Sequence, residues 1–135
     1  MKMTPEEFEL GLAQATGSQG LHHGMFPTVR YTDGIKYMAD NGGAHWLIDL
    51  IAIQLRSRKF ARWVMEDARL AEQSFWRMTC SHNGTCRQAY LKCQADKGVR
   101  SKRIKIPFTD FPLDSIDIWV AADGDKWIMY LPTEH

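Results

Sequence analysis

The chain has 135 residues, 44% of them hydrophobic and 24% charged, with a formal net charge of +1. This balance excludes a disordered segment and supplies enough apolar surface for a core without disulfides or metal, so a single domain over residues 1–135 is expected. Near-neutral charge also excludes a global pull on nucleic acid or anionic membrane. No apolar run reaches the roughly 20 residues of a membrane helix, and the segment MKMTPEEFEL lacks the apolar centre of a signal peptide. Three cysteines without such a signal fit a reducing compartment, and a cytoplasmic location is expected.

The first element is announced by Thr4-Pro5-Glu6-Glu7: a capping hydroxyl, a proline at the first helical position, and acidic groups at the positive end of the dipole. This helix is expected to run to about Ala15, with Phe8, Leu12 and Ala15 inward. Gly17 to Pro27 reads as a loop, and Thr28 to Tyr31 as a short extended piece. Thr32 or Asp33 caps a second helix that carries Ile35, Tyr37 and Met38 and stops at Asn41-Gly42-Gly43. A third helix, residues 44–55, is apolar around most of its circumference: Trp46, Leu47, Ile48, Leu50, Ile51, Ile53 and Leu55 spread widely, and His45, Asp49 and Arg56 share one narrow polar stripe. It is expected to be covered on several sides.

From Phe60 onward the pattern reads as alternating, which predicts strands at Phe60 to Glu66, on both sides of Asn83-Gly84, at Lys102 to Phe108, and on both sides of Asp123-Gly124. Taking each Asx-Gly pair as a two-residue turn sets Val120 opposite Trp127 and Ile118 opposite Met129 in the last hairpin, and Met78 opposite Ala89 and Trp76 opposite Leu91 in the earlier one. The expected fold is α+β, with two or three N-terminal helices packed on an antiparallel meander of about five strands.

Cys80, His82, Cys86 and Cys93 have the residue types of a structural zinc site, but they contain no CxxC pair. With a two-residue turn, Cys80 and Cys86 point to opposite faces; the competing reading is two buried small hydrophobes and one exposed thiol. His45 and Asp49, at i and i+4, could orient an imidazole for general-base work or simply form a surface hydrogen bond. His22-His23 has no nearby ligand partner in the sequence. A helix-turn-helix around Asn41-Gly42-Gly43 is disfavoured, because its second helix would present Trp46, Leu47, Leu50 and Ile51 to bases. Lys97, Arg100, Lys102, Arg103 and Lys105, with Arg56, Arg58, Lys59 and Arg62, could track a phosphate backbone, or could be solvated faces and edge protection. No phosphate-binding loop, nucleophile elbow or paired-carboxylate motif is present.

Tyr31-Thr32-Asp33-Gly34, Gly43-Ala44 with Trp46-Leu47 and Asp49, and Thr109-Asp110-Phe111-Pro112-Leu113 together resemble an uncharacterised family of small bacterial, phage and plasmid proteins of unknown function. The resemblance runs from about Phe26 onward and implies no reaction, cofactor or metal. It does imply a mobile-element setting, where a small protein that blocks a host protein is a natural expectation. The sequence therefore leads to a non-enzymatic interaction protein that engages a protein partner, such as a phage or plasmid inhibitor of a host defence system like CRISPR-Cas, with homodimer formation a further expectation. Trp46, Trp119, Ile128 and Tyr130 are its expected contact residues. The alternative is a small nucleic-acid-binding protein using the basic segment 97–105.

Overall fold

The structure, a computed structural model, describes residues 4–14, 20–95 and 102–134. Its class is α+β, with four helices and a seven-stranded mixed sheet. The helices are α1 (Pro5–Ala13), α2 (Asp33–Gly42), α3 (His45–Leu55) and α4 (Arg58–Glu66). The strands are β1 (His22–His23), β2 (Val29–Tyr31), β3 (Gln73–Asn83), β4 (Cys86–Gln94), β5 (Lys102–Ile106), β6 (Ser115–Asp123) and β7 (Lys126–Tyr130).

Capping chemistry places the helices as the sequence implies. Thr4 closes a capping box on α1: its hydroxyl accepts from the Glu7 amide at 3.1 Å, and the Glu7 carboxylate accepts from the Thr4 amide at 3.4 Å. The expected inward residue Ala15 lies outside the described residues, as do Gly17, Lys97 and Arg100. Thr32 caps α2, and Gly43, with φ of 61°, ends it in the left-handed conformation that glycine adopts without a Cβ clash. A second capping group reaches α2 from far along the chain. The Glu134 carboxylate accepts from the Thr32 hydroxyl at 2.7 Å, the Gly34 amide at 3.2 Å and the Leu131 amide at 3.0 Å. It thereby places negative charge at a helix N-terminus and ties β7 to α2.

The expected strand at Phe60 to Glu66 is instead helix α4. Ser57 decides it, because its hydroxyl accepts from the Phe60 amide at 3.1 Å and so starts a helix. Phe60 and Trp63, at i and i+3, then share its buried side. Phe60 packs within 6.1 Å of Trp63, 6.4 Å of Trp76 and 6.0 Å of Trp127, ring centre to ring centre, which joins α4 to β3 and β7.

The sheet runs β1-β2-β7-β6-β3-β4-β5. It exceeds the expected five strands, and it is not wholly antiparallel, since β2 lies parallel to β7 with Tyr31 beside Met129. Both hairpins turn one residue later than the Asx-Gly reading places them. Asn83 pairs with Cys86 and Asp123 with Lys126, so Gly84-Thr85 and Gly124-Asp125 form the loops. Gly84 and Gly124 have φ of 67° and 62°, and a glycine at the first turn position is the other favoured two-residue solution. Met78 therefore faces Leu91, Trp76 faces Cys93, and Val120 faces Met129. The slip moves each partner by two residues, so every side chain keeps the face its parity assigns.

One face carries the core. Trp76, Met78, Leu91, Ile106, Ile118, Val120 and Met129 join Phe8, Ile35, Met38, Leu47, Ile51, Phe60 and Trp63 in a single buried cluster. The helices thus cover that face. Among the described residues, no side chain from the sheet's opposite face belongs to the cluster. The buried Ser74 hydroxyl is satisfied by the Trp76 indole N–H at 2.8 Å. Among the described residues no helix is long and apolar enough to cross a membrane.

Helix α3 is covered less completely than its composition suggests. Leu47, Ile48, Ile51, Ala52 and Leu55 are buried, whereas Ile53 is 47% exposed. The sheet lies to one side only, and α3 runs along its β5 margin. Ile51→Ala is therefore expected to cost about 2–5 kcal/mol in urea unfolding, against within about 0.5 kcal/mol for Ile53→Ala. Equal losses at the two positions would contradict this one-sided burial.

Candidate functional site: an open sheet face and an edge groove

Three surfaces bear on function, and alternation along the strands builds the first. Phe75, Trp119 and Tyr130 occupy matching positions on β3, β6 and β7, opposite in facing to the core. They form an aromatic row, with Phe75 and Trp119 edge to face at 5.1 Å and Trp119 and Tyr130 at 6.0 Å. The Tyr130 hydroxyl accepts from the Gln73 side-chain amide at 3.1 Å, and Ile128 lies on the same face, opposite Ala121. These side chains are half-buried by one another while the helices remain on the far side.

The β4–β5 half of this face is basic. Arg77, Lys92 and Arg103 stand in one cross-strand row, and Tyr90 and Lys105 in the next. Arg77 is neutralised by a two-pronged bond to Asp117 at 2.6 and 2.9 Å, which pushes its pKa up. The Arg103 guanidinium lies 5.3 Å over the Tyr90 ring. Among the described residues, Lys92, Arg103 and Lys105 have no carboxylate in salt-bridge reach.

The second surface is a groove of about 430 Å³ between α3 and β5, lined by Trp46, Asp49, Leu50 and Ile53 on one bank and Ile104, Lys105, Ile106 and Pro107 on the other. The third is a cleft of about 320 Å³ beside α4, lined by Trp63, Leu70, Cys93 and Ala95, with Lys102 paired to Glu66 across it. Its thiol is inert, since burial pushes Cys93 up to about 12 and keeps it protonated, the reverse of what a nucleophile needs.

The expected contact residues therefore divide. Trp119, Ile128 and Tyr130 come together on the open face, whereas Trp46 lies on the helical side in the groove. The basic residues divide too: Arg56 lies over Phe26 at 4.6 Å and Lys59 over Trp63 at 5.5 Å, both in the helical layer, whereas Arg103 and Lys105 stand on strand β5 at positions of the opposite parity to its core residues. Phe75 is the contact residue that the sequence alone does not single out; its parity within β3 is the available signal.

The His45–Asp49 pairing does not form. His45 Nε2 lies 2.7 Å from Asp40, which also accepts from Lys36 at 2.6 Å; the Lys36 ammonium first, then His45, holds the Asp40 carboxyl below its usual range. The sharp Gly43 turn folds His45 back onto α2, where it hydrogen-bonds to the exposed Lys36–Asp40 ion pair at the helix end. His22 has a carboxylate partner that sequence distance hid, with Nε2 2.7 Å from Asp33. Cys80 and Cys86 lie on opposite faces, and among the described residues no three His, Cys, Asp or Glu side chains converge as a metal site.

Among the residues that carry the family resemblance, Thr32, Ala44, Leu47, Thr109 and Phe111 are buried, and Trp46 and Asp49 line the groove. Thr109 accepts from the Phe111 amide at 3.1 Å, in the turn that seats Phe111 against Phe8. The model of a family of unknown function (DUF6876) matches residues 6–135, and the chain belongs to that family. No curated protein and no solved structure matches it.

Burial sorts the three thiols, with Cys86 exposed and Cys80 and Cys93 buried. Ellman's reagent should titrate one thiol rapidly in the native protein and all three after denaturation. Rapid native reaction of two or more would contradict the register.

Proposed function

We propose that this family member is a non-enzymatic protein-interaction module, an inhibitor carried by a phage or plasmid that blocks a host defence complex such as CRISPR-Cas. The observation that carries this reading is the second sheet face, where Phe75, Trp119 and Tyr130 form a preassembled aromatic row on the side away from the described helices. Rigid aromatic side chains lose little rotamer freedom on docking and supply large contact areas, which is why such residues dominate binding energy at protein interfaces. The flanking Lys92, Arg103 and Lys105 add a charge pattern that selects an acidic partner surface. Two copies of the chain could also pair through the aromatic row, which gives the homodimer form of the same reading.

The test is interference by an active CRISPR-Cas system in cells expressing the chain. Wild type is expected to restore phage plating, and Trp119→Ala with Tyr130→Ala to abolish that rescue, as befits a loss of about 2 kcal/mol or more, roughly 30-fold in affinity, at a central contact. Circular dichroism confirms that the variant is folded. Rescue unaffected by the double substitution, or no rescue against any defence system tested, would contradict the reading.

A second reading is favoured by one specific observation, the Arg103–Tyr90 stack beside Lys92 and Lys105 on a sheet surface that also carries the half-buried row of Phe75, Trp119 and Tyr130. Aromatic rings with adjacent cations on a sheet form a stacking platform for single-stranded nucleic acid. Binding of oligothymidine should then weaken steeply as salt rises, and Arg103→Glu should reduce both affinity and salt slope. Absence of binding at low salt removes this alternative.

A further inference from the structure

Beyond the open face, the sheet has a second unsatisfied feature. β5 is the last strand of the sheet among the described residues, and its ladder to β4 uses only one of its two sides. In an antiparallel edge strand, alternate backbone N–H and C=O groups point away from the neighbour. Ile104, Lys105, Ile106 and Pro107 border the groove. Among the described residues the backbone of β5 bonds to no strand but β4, so its outer edge is open beside that groove.

We propose that this edge and groove form a strand-accepting site, which takes an extended segment of a partner protein whose side chains alternate between aliphatic and acidic. Strand addition supplies backbone hydrogen bonds, and alternate side chains supply the selectivity. On the helical side, Trp46, Leu50 and Ile53, at i, i+4 and i+7 on α3, make an apolar bank that faces Ile104 and Ile106. Aliphatic side chains of an added strand would enter there. On the opposite side the next positions are Arg103 and Lys105, both exposed and without a carboxylate in salt-bridge reach among the described residues. Acidic side chains of the added strand would meet them directly across the ladder. Asp49, a carboxylate on the groove's lining, lies on the helical bank, so a segment whose acids all point to the other face keeps them away from it.

The same charges decide against a second copy of this chain. Two β5 strands paired side by side would bring two Arg103 and two Lys105 side chains onto one face with no counter-charge, and like charges opposed across a ladder destabilise it. The basic edge thus discourages self-pairing and favours an acidic guest.

The probe is a capped nine-residue peptide alternating glutamate with isoleucine and valine, titrated into the full chain by fluorescence anisotropy. It is expected to bind and to slow amide exchange across residues 102–106. Methylation of alternate peptide nitrogens, or replacement of its glutamates by lysines, should weaken binding at least tenfold. Arg103→Glu with Lys105→Glu, a change confined to exposed side chains, should reverse the preference between the glutamate and lysine peptides. Equal binding of the methylated peptide, equal binding of the two charge forms, or no binding at millimolar peptide overturns the proposal. Loss of binding in the Trp119→Ala, Tyr130→Ala chain with exchange at 102–106 unchanged would also overturn it, by moving the peptide to the open face. A dimer of the chain that Arg103→Glu abolishes overturns it in favour of a second copy.

Discussion

The period-two alternation of the sheet is the constraint from which the other features follow. Because neighbouring strands keep their parity, the buried Trp76, Met78, Leu91, Ile106, Ile118, Val120 and Met129 fall on one face, and the helices pack there. Phe60 shows how tightly the two layers are joined: its ring touches Trp63 on its own helix and Trp76 and Trp127 on two strands. Glu134 fixes the layers at another point, since one carboxylate gathers donors from Thr32, Gly34 and Leu131. Among the described residues, all four helices pack on one face of the sheet, and none lies on the other. The aromatic row is therefore a product of the same rule that made the core.

Much of this was legible in the residues. Thr4, Thr32 and Gly43 mark helix ends through chemistry that acts within four residues, and local chemistry survives tertiary context. Face assignment was legible as well, because a two-residue slip in each hairpin leaves parity intact even though the partners change. What failed depended on competing local signals or on distance. Phe60 to Glu66 contains both an alternating and an i, i+3 pattern, and the Ser57 cap selects the helix. The parallel pairing of β2 with β7, the His22–Asp33 pair and the Glu134 cap join residues that sequence neighbours say nothing about.

The candidate surfaces were half legible for related reasons. Trp119, Ile128 and Tyr130 emerge from the hairpin alone, whereas Phe75 joins them only through the β3–β6 pairing. Trp46 was grouped with them as exposed apolar surface, yet it belongs to a different place, beside a strand edge. The apolar circumference of α3 suggested enclosure on several sides. Its position at the margin of the sheet instead divides it into a buried bank of Leu47, Ile48 and Ile51 and an open bank of Trp46, Leu50 and Ile53. Surplus hydrophobicity in a helix can thus report a groove as readily as a core.

The parallel strand β2 also sets the timetable of biosynthesis. Its partner β7 lies about 100 residues further along, and Tyr31 has no neighbour on that side until Met129 has been translated. The β1–β2 margin therefore joins the rest of the sheet only after the last strands have been made, so the sheet cannot be assembled in chain order from the N-terminus.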